Sequence, residues 1–104
     1  MQSISVQEVK ARLANGENLH LLDVREPDEF AEYNIGGKLI PLGMIHNMEI
    51  DEIESWKDEE VIVHCRSGKR SATACMILEG FGFTNTKNLE GGMLSWQEAD
   101  GLVK

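Results

Sequence analysis

Val6, Val9 and Leu13 recur at three- and four-residue intervals among polar residues, the spacing of one buried helix face. Ser5 and Glu8 stand at capping-box spacing at the head of this run, and Asn15-Gly16 stops it, so the pattern predicts a helix from about Val6 to Ala14. Leu19-His-Leu-Leu-Asp-Val24 is instead a compact apolar run of strand length with charge at its C-terminal edge. Val61-Ile-Val-His64 places three β-branched residues in succession and is the clearest strand in the chain. Consecutive apolar side chains leave neither face to solvent, so both strands are expected to be covered on both sides. Shorter strands are predicted at Lys38-Leu-Ile40, just before Pro41, and at Thr86-Lys-Asn-Leu89.

Between the strands the pattern turns helical. Glu26 to Glu32 places Pro27 and three acids in an opening turn, where missing amide donors and the helix dipole favour them. Ala72, Cys75, Met76 and Leu78 fit a helix from Ser71 that ends at Gly80 and Gly82. Gly91-Gly92 reads as a close-packed turn before a last helix from about Met93 to Ala99, with Met93 and Trp96 as core or pocket wall. From Gly43 to Trp56 the apolar positions are irregular, which predicts one or two short helices. Asp58-Glu-Glu60 marks a solvated turn. No strand is read before Ser5.

Strands alternating with helices imply parallel βαβ units with right-handed crossovers and helices on both sheet faces. The expected fold class is therefore α/β, as a single domain over residues 1–104 without linker or repeat. In such sheets the functional crevice lies at the carboxyl ends of the strands. Cys65 follows one predicted strand there, and Asp23 and Arg25 close another.

Composition narrows the class. A chain of 104 residues with 41% hydrophobic residues can form one globular core, and no stretch approaches a membrane span. The N-terminal residues show neither a basic start nor an apolar run, so no secretory signal is expected and a cytoplasmic location is the default. Cys65 and Cys75 lack Cys-x-x-Cys spacing and are expected to be free thiols, Cys75 packing on the apolar side of its helix. His20, His46 and His64 share no ligand spacing with each other or with the cysteines, so no metal site is expected. Ten basic against eighteen acidic residues give a net charge of -8, which opposes binding to nucleic acid or anionic membranes. Against that background Arg66, Lys69 and Arg70 crowd into the five positions after Cys65, a local reversal of sign.

The segment His64-Cys-Arg-Ser-Gly-Lys-Arg-Ser71 joins a buried strand to a helix. A thiol becomes a nucleophile as its thiolate, and nearby positive charge with a helix N-terminus beyond favours that form. Arg66, Lys69 and Arg70 supply the charge. Gly68 lets successive amides turn inward as an anion-binding nest, and Ser71 can cap the helix that follows. His64 neighbours Cys65 in a strand and so faces the other way, which leaves activation to electrostatics rather than to a Cys-His pair. No base is required when a thiolate attacks an S–S bond, because the leaving group departs as an anion.

Over nearly its whole length the sequence resembles single-domain rhodaneses, the thiosulfate sulfurtransferases. The resemblance lies in Leu22-Asp-Val-Arg-Glu26 with Phe30, Ile40-Pro-Leu42, the loop Cys65-Arg-Ser-Gly-Lys-Arg70, and Glu90-Gly-Gly-Met-Leu-Ser-Trp96. It implies a small parallel sheet of about five strands and a Cys65 persulfide as the carrier of sulfur. In thiosulfate-using members the loop carries cysteine, a basic residue, glycine, and arginine or threonine at the places of Cys65, Arg66, Gly68 and Arg70. Phosphatases related by fold have a loop one residue longer, so the four residues between Cys65 and Arg70 speak against a phosphate substrate. Asn34-Ile-Gly-Gly37 departs from the usual pattern and is similar to rhodanese-like domains attached to enzymes that activate ubiquitin-like sulfur carriers.

The expected function is transfer of sulfane sulfur from thiosulfate, or another persulfide donor, through Cys65 to a thiophilic acceptor: a thiol, cyanide or a sulfur-carrier protein. No cofactor is expected. Arg66 and Lys69 are expected to bind the donor, with the backbone amides of Ser67, Gly68, Lys69, Arg70 and Ser71 as the persulfide cradle. For Arg70, contact with substrate and a structural ion pair with Asp23 or Glu90 stay equally open. Asp23 and Arg25 are expected to fix the loop rather than touch substrate. The alternatives are a rhodanese-like binding module without turnover, relay to a ubiquitin-like sulfur carrier, and a cysteine phosphatase or arsenate reductase.

Overall fold

Five strands and five helices alternate along the chain in a computed structural model that describes residues 1–101. Residues 102–104, which the single-domain expectation includes, lie outside the described residues. The strands are β1 (Gln2–Ile4), β2 (His20–Asp23), β3 (Lys38–Leu39), β4 (Glu60–His64) and β5 (Asn85–Leu89). All pair in parallel, in the order β1-β5-β4-β2-β3. The helices are α1 (Val6–Ala14), α2 (Pro27–Glu32), α3 (Leu42–His46), α4 (Lys69–Gly80) and α5 (Gly92–Ala99), with a 3-10 turn over Asp51–Trp56 after α3.

The two buried runs seen in the sequence, β2 and β4, lie side by side at the centre, with His20 opposite Val61 and Asp23 opposite His64. Their alternating side chains divide the core. Leu22, Val24, Val61 and Val63 meet Ile45, Ile53, Ala74, Cys75 and Leu78 on one face. Leu21 and Ile62 meet Val6, Val9, Met93 and Trp96 on the other. Central parallel strands read as continuous apolar runs because helices cover both sides.

Strand β1 was not legible in the sequence. It is a three-residue edge strand with only Ile4 buried, too short to show alternation, and it exists because β5 offers Lys87, Asn88 and Leu89 as partners. Local chemistry sets the helix starts. Ser5 Oγ accepts the Glu8 amide at 3.1 Å, and at α2 Glu26 and Glu29 form a reciprocal capping box around Pro27. Helix α4 begins two residues earlier than the pattern predicts, because Gly68 takes a left-handed φ of 103° as the N-cap. Ser71 is therefore not a cap: it sits buried in the first turn of α4. At the amino ends of the sheet Glu60 takes a bidentate bond from Arg12 at 2.6 and 3.0 Å and a third from Lys87 at 2.5 Å, tying α1 to β4 and β5. Among the described residues no helix is long and apolar enough to cross a membrane.

Candidate functional site

The carboxyl ends of β2 and β4 lie together, and Cys65 follows β4 at that edge. Its side chain belongs to the face of Val63 and packs against α4, with only 1% of the residue exposed. Three groups converge on Sγ: the Gly68 amide at 3.1 Å, the Ser71 amide at 3.4 Å and the Ser71 hydroxyl at 3.4 Å. The left-handed turn at Gly68 aims these donors inward. Burial pushes the Cys65 thiol up, but the Ser71 hydroxyl and the amides of Ser71, Gly68 and Ser67 more than offset it, and the group lies below its ordinary value. The sequence assigned this effect to three cations. Hydrogen bonds are the larger contribution.

Asn88, which the sequence did not single out, completes the cradle. Its Nδ2 donates to the Gly68 carbonyl at 3.1 Å, which orients Oδ1 toward Ser71, whose hydroxyl donates to it at 2.5 Å. A hydroxyl has one proton. While Asn88 holds it, the thiol of Cys65 can donate to Ser71; when Cys65 ionises, the proton can swing to sulfur.

Helix α5 supports the loop from behind. The Met93 amide donates to the Cys65 carbonyl at 2.9 Å and the Leu94 amide to the Arg66 carbonyl at 3.0 Å, so free amides of a first helical turn hold the first two loop carbonyls. Contact is so close at Gly92 that a Cβ there would lie 2.4 Å from the Cys65 carbonyl oxygen. The Gly91-Gly92 pair is thus the close-packed turn that its sequence suggested.

The three loop cations differ. Arg66 and Lys69 are exposed, and among the described residues neither meets a carboxylate. Arg70 is in a bidentate pair at 2.7 and 3.0 Å, and its partner is Glu29 of α2, not Asp23 or Glu90. The Arg70 hydrogen bonds, opposed by burial and helped by the Glu26 amide, hold the Glu29 carboxyl at about 2. In the sequence Glu29 shows only as helix-opening charge in the Glu26-Pro-Asp-Glu segment, because its partner lies 41 positions along the chain.

Asp23 and Arg25 are buried and bonded to each other at 2.7 to 3.1 Å, with Arg25 also donating to the Tyr33 carbonyl at 2.7 Å. These bonds brace the stretch from β2 through α2, and none among the described residues runs to the Cys65 loop. Arg25 does share a depression of about 150 Å³ with Arg66, whose rim carries Glu29 and Glu32. His64 is buried with neither ring nitrogen partnered among the described residues, and burial pulls it down to about 4, so it is neutral and makes no bond to Cys65. Cys75 is buried beside Ala74 and Leu78, where desolvation pushes its thiol up to about 11.

Comparison with known proteins places this site in context. The family described as the rhodanese-like domain matches residues 5–99. A protein of Allochromatium vinosum named sulfurtransferase is 36% identical over 97 residues, which cover 92% of this chain and 88% of the relative. A rhodanese-like domain protein from Staphylococcus aureus superposes with a TM-score of 0.79 at 36% identity, over 92% of this chain and 91% of its own. A human single-domain sulfurtransferase gives a TM-score of 0.78 at 25% identity, over 94% and 96%.

Proposed function

The chain belongs to the rhodanese-like domain family, and from that premise we propose that it is a sulfurtransferase that carries sulfane sulfur as a persulfide on Cys65. The observation that carries the reading is the convergence of the Gly68 amide, the Ser71 amide and the Ser71 hydroxyl on one buried sulfur. Such a cradle favours an anion on the atom at its centre, with the two amides already aimed at the sulfur and the Ser71 hydroxyl proton one rotation away.

In the first step Cys65 thiolate attacks the outer sulfur of thiosulfate. A new S–S bond forms at Cys65, the bond from outer sulfur to sulfonate sulfur breaks, and its electron pair leaves on sulfite. The persulfide anion is held by amides of the Ser67–Ser71 turn, and Arg66 and Lys69, exposed and meeting no carboxylate among the described residues, meet the anionic donor. In the second step a thiophilic acceptor attacks the outer sulfur and restores the Cys65 thiolate. Cyanide serves as a laboratory acceptor; glutathione, thioredoxin or a sulfur-carrier protein are acceptors of the right chemistry. No step uses His64, because the leaving groups are anions. The kinetics are ping-pong.

Incubation with thiosulfate followed by intact mass measurement should show one added sulfur, which cyanide removes as thiocyanate. A Cys65→Ser protein that still gains the sulfur would sink the assignment. Arg66→Ala and Lys69→Ala should raise the KM for thiosulfate, and unchanged kinetics in both would reject their contact with the donor.

A further inference from the structure

Glu29 belongs to neither the sulfur cradle nor the core, yet three hydrogen bonds fix its carboxylate. Glu26 donates its amide at 3.0 Å, and Arg70 donates both terminal guanidinium nitrogens at 2.7 and 3.0 Å. The first bond is the capping box of α2, so the acid is set in place by its own helix and grips α4 from there. Arg70 lies in the first turn of α4, and the charges acting on it include Cys65 after Glu29 itself. A planar guanidinium with two parallel N–H donors is the natural complement of two oxygens on a sulfonate-type anion. Glu29 fills that fork. What remains for an incoming donor is exposed Lys69 and Arg66, the latter lining a depression that Glu29 and Glu32 also line and whose Arg25 is committed to Asp23.

Resting on the sulfurtransferase reading of Cys65, we propose that Glu29 is a specificity-determining residue. By keeping Arg70 from the donor, it tunes the site toward sulfane-sulfur donors with at most one negative charge, the persulfides of thiols, over dianionic thiosulfate. With such a donor, R–S–SH, the Cys65 thiolate forms a bond to the terminal sulfur, the donor's S–S bond breaks, and the electron pair leaves on RS⁻. The proton stays on the transferred sulfur, and no oxidant or reductant is consumed.

The test is single-turnover sulfur loading of Cys65, read by intact mass, in the unmodified protein and in Glu29→Gln. The two donors are thiosulfate and cysteamine persulfide generated from cystamine and sulfide, whose ammonium offsets the persulfide charge. Glu29→Gln should lower the apparent KM for thiosulfate by about threefold, the scale of a partly exposed ion contact, with little change in the maximal loading rate and no gain with cysteamine persulfide. An unchanged or raised KM for thiosulfate overturns the proposal, as does an equal gain with both donors. Glu29→Met keeps the side-chain length without charge or a good acceptor, and it carries the same test if the glutamine variant loses its cooperative unfolding transition. Absence of loading in the unmodified protein with either donor would fail the sulfurtransferase reading itself. Loading with both, at a donor ratio that the variants leave untouched, would fail only the role of Glu29.

Discussion

His64 shows at the scale of one residue how burial overrides chemical type. Its ring is enclosed, has no hydrogen-bond partner among the described residues, and is held down to about 4 from an ordinary 6.5, chiefly by desolvation. Between those values the unfolded chain binds the proton and the folded one refuses it, so stability is complete above pH 6.5 and is lost as pH falls toward 4. His64→Leu should remove a loss of about 2 kcal/mol near pH 5, measured by denaturant midpoints at pH 5 and pH 7, and should be neutral or stabilising at pH 7. An acid-side loss of unchanged size in the variant would contradict this account. Ser71 acts on the sulfur directly. Ser71→Ala removes the hydroxyl that helps hold the Cys65 thiol below its ordinary value, so the midpoint of iodoacetamide alkylation against pH should move up. A fixed midpoint would mean that the amides alone suffice. Cys65 and the amides of its loop stand out in the sequence because they are consecutive, and of the five expected amides those of Gly68 and Ser71 bond the sulfur while those of Lys69 and Arg70 do not. Asn88 does not stand out, because it reaches Ser71 from another strand, 17 positions along the chain.

At the scale of elements, the site is a junction of three helices at the end of the sheet. Helix α4 supplies donors to sulfur, α5 holds the loop carbonyls, and α2 grips α4 through Glu29 and Arg70. Gly92 is where α5 and the loop touch. Gly92→Ala would force backbone against backbone at a φ of 55° and should cost at least about 2 kcal/mol and displace the loop, with sulfur loading at Cys65 lost or much slowed. Gly36→Ala, where a Cβ meets open space, should cost less and leave loading intact, and equal effects at the two positions would refute the packing argument. Most helix positions were legible from periodicity, and α1 was read with its boundaries. The start of α4 was not, since a left-handed residue at Gly68 lets a helix begin inside what looks like a loop.

Across the whole molecule, a net charge of -8 is set against a short stretch where Arg66, Lys69 and Arg70 gather, so the local sign beside Cys65 opposes that of the chain. A like contrast separates the two thiols. Cys65 lies at the sheet edge with its pKa lowered, whereas Cys75 is enclosed between helix and sheet with its thiol pushed up to about 11. In a Cys65→Ser protein, Cys75 should therefore resist maleimide labelling until the domain unfolds, and its labelling should follow the denaturant transition seen by circular dichroism. Labelling well before that transition would reveal local opening of α4. By itself the sequence determined the α/β alternation, the two central strands, and the loop cysteine with the cations that follow it. These are written in short-range periodicity and in consecutive residues, where local propensity and burial patterns act. Only the tertiary structure decided that β1 is a strand, that Asn88 and the first turn of α5 complete the cradle, and that Arg70 faces Glu29. Each of these depends on groups distant in sequence finding one another, and the packing of helices across a sheet makes that choice among several chemically equivalent partners.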